Sequence, residues 1–173
     1  MILETIPVGS YRANCYIAGC ERTREIIIID PGDEAEKIFY AIRNNKYVVK
    51  YITFTHNHFD HTGALKAVED EYGISAVRNL KTLNVGDVTV EVIKTPGHSA
   101  DGISLHTNGF VFTGDTLFYG SVGRTDLPTG NHVKLENSIR KLYELPDNTV
   151  VYPGHGQQTT IGFEKLNNPF FRA

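Results

Sequence analysis

Tryptophan is absent from this chain of 173 residues, methionine occurs once and cysteine twice. Two thiols cannot build a disulfide framework. Cys15 and Cys20 fall in NCYIAGC, which reads as a strand, so they are expected to be small buried hydrophobes, a disulfide or metal role being the competing reading. An excess of either charge is also missing: 17 Lys and Arg against 20 Asp and Glu leave a net charge of −3, and no basic run exceeds two residues. This removes the electrostatic footprint that a nucleic-acid or membrane partner needs. No stretch is apolar over the thickness of a bilayer, and MILETIPVGS lacks the basic start and apolar core of a signal peptide, so a cytoplasmic location is expected. Linkers, low-complexity blocks and strong repeats are lacking as well, which predicts a single domain over 1–173. What is present, 40% hydrophobic and 21% charged residues, suffices for a buried core and points to a small-molecule partner.

Hydrophobic patterning predicts alternating strands and helices, an α/β (α+β) class. ILETIPV, NCYIAG and EIIIID read as strands, the last ending at the Asp30-Pro31-Gly32 turn. Asp33 is placed to cap a helix reaching about Asn45, with Glu36 in capping-box position and Ala35, Ile38, Phe39 and Ile42 on one face. VVKYITF reads as a buried strand, and a helix from Ala64 to Tyr72 stops at Gly73. ISAV and the alternating VTVEVI follow, with a turn at Gly86-Asp87 between them. ISLHT and FVFT flank Asn108-Gly109, a hairpin signal. A long loop, LFYGSVGRTDLPTG, leads to a helix from about His132 to Glu144, then to the strand TVVY and a last short helix in TIGFEKL.

The segment between VVKYITF and the next helix reads THNHFDHTG, with His56, His58, Asp60 and His61 inside six residues. A solvated turn has no use for three imidazoles, whereas zinc, iron and manganese bind imidazole and carboxylate together. His56 and His58, two apart on extended chain, leave the same side of the backbone and can meet one ion. Asp60 and His61 lie where the chain turns into the helix and can reach a second ion. Further ligands stand at later strand ends in Gly-containing turns: His98, Asp115 and His155. Asp115, with two carboxylate oxygens, is the natural bridge. His106 and His132 read as surface residues.

Taken together, HNHFDH, TPGHSADG, FTGDT and YPGH resemble the motif set of the metallo-β-lactamase-fold hydrolases, in particular the short glyoxalase II-like (hydroxyacylglutathione hydrolase-like) group. The resemblance runs over nearly the whole chain. It implies a four-layer αββα sandwich holding two divalent metal ions, with His56, His58 and His98 on the first, Asp60, His61 and His155 on the second, and Asp115 bridging. It also implies that Asp30 supports the metal loop from beneath, although a plain turn aspartate before Pro31 reads the same in sequence.

Zinc is the expected metal, with iron and manganese as alternatives of the same ligand chemistry. The implied reaction is hydrolysis of a thioester of the S-lactoylglutathione type, with a hydroxide bridging the metals as nucleophile and Asp60 orienting it and taking up a proton. Arg124 is a candidate anchor for a substrate carboxylate, a salt bridge to Asp126 being the competing reading. Tyr119 is a candidate pocket wall, and Phe118 reads as wall or core. Other functions share the pattern. A persulfide dioxygenase would hold one iron through His56, His58 and His98 or Asp115, a non-catalytic metal-binding scaffold would present its surface to another protein, and an RNA-processing or lactam-cleaving role shares the motif set in principle.

Overall fold

A computed structural model describes residues 1–172, and these form two compact units. One comprises Met1–Phe54 and His58–Glu91; the other comprises Thr55–Asn57 and the chain from Val92 onward. The first unit begins with strands β1 (Ile2–Val8), β2 (Ala13–Gly19) and β3 (Glu25–Ile29), helix α1 (Ala35–Asn45) and strand β4 (Val48–Thr53). The short helix α2 (Phe59–Thr62), helix α3 (Leu65–Tyr72) and strands β5 (Thr82–Val85) and β6 (Val88–Lys94) follow, with the unit boundary inside β6.

Strands β1 to β4 lie side by side in chain order, antiparallel until the last pair, β3 and β4, which is parallel across the α1 crossover. Along EIIII every isoleucine is buried; Ile26 and Ile28 join Ile38, Phe39, Ile42 and Val68 from α1 and α3 in one cluster. Each isoleucine fully buried in this way stabilises the fold by about 1.5–3 kcal/mol relative to exposure. Gly73 ends α3 as expected, with φ of 65° and its N–H on Glu69 O.

Three expectations for this unit need correction. Asp33 does not cap α1: Glu34 occupies the cap with φ of 47° and no side-chain cap bond, because its carboxylate accepts from Gly9 N instead. β4 is buried only at Ile52 and Thr53, its outer residues being exposed or half-buried. ISAV is not a strand; Val77 N donates to Ile52 O, but the ladder goes no further, and β5 pairs with β6 through the Gly86-Asp87 turn.

The second unit contains β7 (Ile103–Thr107), β8 (Phe110–Gly114), β9 (Leu117–Phe118), β10 (Ser121–Val122), α4 (His132–Leu142), β11 (Val150–Pro153), β12 (Thr159–Thr160) and α5 (Ile161–Asn167). Its sheet runs β12-β11-β8-β7. Asn108 and Gly109, with φ of 40° and 81°, make the tight β7–β8 turn, since left-handed backbone at both positions matches the twist of the strands. Asn131 caps α4 by accepting from Lys134 N, and Leu135, Ile139 and Leu142 pack on Val111, Val151 and Ile161. The expected loop after Asp115 contains a small hairpin, β9–β10, whose two-residue strands are too short to leave a periodicity in the sequence. No helix among the described residues is long and apolar enough to cross a membrane.

Candidate metal centre

In the first unit the local chain sets His58, Asp60 and His61. α2 begins at Phe59, and His58 O accepts from both His61 N and Thr62 Oγ1 at 3.0 Å, which winds the three ligands onto a single turn. Asp30 leaves the end of β3 with φ of 55°, a left-handed conformation that aspartate tolerates better than most residues. Its Oδ2 lies 2.9 Å from Nδ1 of the fully buried His61. An aspartate oxygen accepting from Nδ1 would leave Nε2 as the nitrogen that could meet a metal. That Nε2 stands 3.8 Å from Asp60 Oδ2. Gly32 completes the arrangement: a Cβ there would lie 1.7 Å from Asp60 O, so only glycine lets the Asp30 turn pack under the metal loop. Asp30 therefore acts as turn residue and as histidine partner together.

In the second unit four candidate ligands converge from distant segments. His56, buried, has its Nδ1 3.1 Å from Thr55 Oγ1. Thr55 is itself held by Ile103 N, which donates to its carbonyl at 2.9 Å. His98 sits in the Pro96-Gly97 turn, where Gly97 (φ of 146°) approaches the Leu135 backbone too closely for any side chain. His98 Nδ1 is 2.8 Å from Arg124 O. A carbonyl only accepts, so this nitrogen is the donor and Nε2 offers the lone pair. The parallel pairing of β8 with β11, closed by Gly154 N on Gly114 O at 2.8 Å, brings Asp115 and His155 to the same end of neighbouring strands.

Asp115 is the focus of this set. Its Oδ2 lies 3.6 Å from His98 Nε2 and 3.6 Å from His155 Nε2. Ligand atoms of His56 come within 4.8 Å of those of both His98 and Asp115, and the His56 and His98 rings meet edge to face at 4.9 Å. Two ligands each about 2.05 Å from a tetrahedral zinc ion stand about 3.3 Å apart. The observed separations fit this after small shifts. The donor set fits as well: imidazole and carboxylate without thiolate suit zinc, iron or manganese, three of the histidines have Nδ1 engaged, and in His61 and His98 Nε2 stands 3.8 and 3.6 Å from a candidate carboxylate.

The remaining predicted residues are placed as follows. Arg124 donates through Nε and a terminal nitrogen to both Asp126 oxygens at 2.7 Å, with both side chains exposed. This partner pulls the Asp126 carboxyl down to about 2. The competing salt-bridge reading of Arg124 is thus the realised contact, and its carbonyl serves His98. Tyr119, 48% exposed, stacks on Phe163 with ring centroids 5.1 Å apart. Phe118 is half-buried with its ring 6.4 Å from that of His155, at the ligand rather than in the core. His132 is exposed at the start of α4, and His106 is half-buried in β7. Both cysteines are buried and unbridged, and burial pushes the Cys15 thiol up. Sequence reasoning missed Thr55 and the Arg124 carbonyl; a threonine next to a ligand histidine is a weak signal, and a carbonyl contact leaves none.

The model of the Metallo-beta-lactamase superfamily matches residues 8–84 and 77–155. The chain is 31% identical to the Hydroxyacylglutathione hydrolase GloC of Haemophilus influenzae, over 100% of its own length and 99% of that protein. Among solved structures it is similar to BLEG-1 B3 metallo-beta-lactamase, with a TM-score of 0.91, 33% identity and coverage of 98% of this chain and 99% of the other. It is also similar to TTHA1623 in a di-iron-bound form, with a TM-score of 0.85, 30% identity and coverage of 97% and 100%. The strand-end histidines and aspartates thus lie on a metallo-β-lactamase fold, and the chain belongs to the metallo-beta-lactamase superfamily as a metal-dependent hydrolase.

Proposed function

We propose that the chain hydrolyses a thioester of the hydroxyacylglutathione type at a binuclear metal centre, with zinc as the resident metal. The observation that carries this is the Asp115 carboxylate, 3.6 Å from Nε2 of two histidines at once, as a ligand shared between ions needs to be. In the proposed centre His56, His58 and His98 would hold one ion and Asp60, His61 and His155 the other. The ions would supply Lewis acidity and lower the pKa of a coordinated water to about 7. Asp60 orients the attacking water and accepts its proton, while Asp30 and the Arg124 carbonyl keep His61 and His98 in the ligating tautomer and Thr55 holds the ring of His56. Phe118 and Tyr119 wall the substrate side near His155, and Arg124, held by Asp126, is left a supporting role. The named relative from Haemophilus influenzae supports the thioester.

The test is loss of thioester absorbance from S-lactoylglutathione by protein loaded with zinc, iron or manganese, beside Asp60→Ala. Metal-dependent turnover that falls at least about a hundredfold in the variant, with an unchanged melting temperature, is the expected result. Absence of turnover with every metal, together with oxygen uptake from a persulfide by the iron form, would replace this reading with the dioxygenase one.

A further inference from the structure

Glu164 is a buried carboxyl group that the proposed chemistry leaves unused. It is fully buried in α5, where a helix-surface glutamate would be expected from the charged and polar residues around it. Its Oε1 accepts from Thr159 Oγ1 at 2.6 Å, its Oε2 from Asn168 Nδ2 at 2.8 Å, and both oxygens accept from Gly120 N at 3.1 Å. Among the described residues its hydrogen-bond partners are all neutral donors. A buried carboxylate held only by neutral donors is a costly arrangement unless each bond is kept, so the group locks whatever those donors belong to.

Gly120 is the tip of the β9–β10 hairpin, with φ of 61°. The hairpin joins two segments that position ligands. It leaves directly from Asp115 through Thr116, and it returns at Gly123, whose Cβ would lie 1.9 Å from Asp115 O and 3.0 Å from His98 Cβ. The next residue is Arg124, whose carbonyl accepts from His98 Nδ1. Within the hairpin, Phe118 lies against the His155 ring. Asn168, the second grip of the carboxylate, also donates to Ser121 O at 3.2 Å, so the tip is held from both sides of its turn.

We propose that Glu164 is a positioning residue for the metal ligands of the second unit: by gripping Gly120 it fixes the β9–β10 hairpin, and through that hairpin the placing of Asp115, His98 and His155. This rests on the reading of those three residues as metal ligands. It does not depend on which substrate is hydrolysed.

The experiment compares wild-type protein with Glu164→Gln, which keeps size and shape but turns one acceptor into a donor facing Gly120 N–H. Cobalt(II) affinity by chelator competition, the visible spectrum of the cobalt form and amide exchange at Gly120 are read together, with the melting temperature as control. The expected result is about tenfold weaker cobalt binding, a changed ligand-field spectrum and faster exchange at Gly120. Glu164→Asp, which keeps the carboxylate but retracts it from Gly120, is expected to move the same readouts by a few fold, and it carries the test where the glutamine variant does not fold. Wild-type cobalt affinity and spectrum in a folded variant would overturn the proposal, as would weakened binding with unchanged exchange at Gly120. A wild-type protein that binds cobalt but leaves S-lactoylglutathione intact would overturn the thioesterase reading alone.

Discussion

The two units assemble candidate ligands in opposite ways. In the first, His58, Asp60 and His61 lie within four residues on a single turn of chain, with Asp30 as a long-range partner of His61. In the second, His56, His98, Asp115 and His155 are spread over a hundred residues of sequence and meet only through strand pairing, the hairpin after Asp115 and the carbonyl of Arg124. A local ligand set survives damage elsewhere in the fold. A dispersed set depends on every element that carries it, so the candidate ligands of the second unit are the more easily displaced.

The largest effect is expected from the shared carboxylate. Asp115→Asn should lower metal content by atomic absorption and reduce thioester hydrolysis by more than about a hundredfold, beyond the range for a residue outside the ligand shell. Loss confined to one ion would show that the two histidines do not share it. Asp30→Asn, which keeps the left-handed backbone but weakens the acceptor for His61, should cost about 10–100-fold in metal affinity by chelator competition. Unchanged affinity would leave Asp30 as a turn residue only.

Glycines test the same contrast through stability. Gly32→Ala in the first unit and Gly123→Ala in the second each drive a Cβ against a backbone oxygen, at 1.7 Å and 1.9 Å. Each should destabilise the fold by about 1–3 kcal/mol or more in denaturant titration. Both should also change the cobalt spectrum, Gly32→Ala through Asp60 and His61 and Gly123→Ala through Asp115 and His98.

The smallest effect is expected from Arg124 and Asp126. The guanidinium lowers the Asp126 carboxyl to about 2, so the pair is intact at neutral pH, and its contribution is lost as pH falls from the ordinary carboxylate range through about 2. With both side chains exposed and screened, the effect on stability is slight, and the NMR titration of Asp126 is the direct readout. Arg124→Gln should leave KM within about twofold, since the carbonyl rather than the side chain touches a ligand. A tenfold rise in KM would instead restore Arg124 as a substrate anchor.

How much of this the sequence disclosed follows from the range of each interaction. Strands of five to seven residues, α1, α3, α4 and the Asn108-Gly109 turn were legible because periodicity and turn chemistry are local. The candidate ligands were legible because their spacing is chemically unusual. β5 and the β9–β10 hairpin were not, their strands being too short to show a period. Nothing in TIGFEKL singles out Glu164; its burial follows from where Gly120, Thr159 and Asn168 come to lie, which no local pattern encodes. Thr55 and the Arg124 carbonyl escaped for the same reason.

The contiguity of His56, His58, Asp60 and His61 bears on how metal and folding are linked. Such a stretch can capture a divalent ion before any sheet has formed, much as a polyhistidine peptide does, whereas the cluster around Asp115 exists only once β8 and β11 have paired. Binding to the unfolded chain subtracts from the stabilisation that a ligand confers on the native state. Added zinc should therefore raise the melting temperature by less than its native affinity implies.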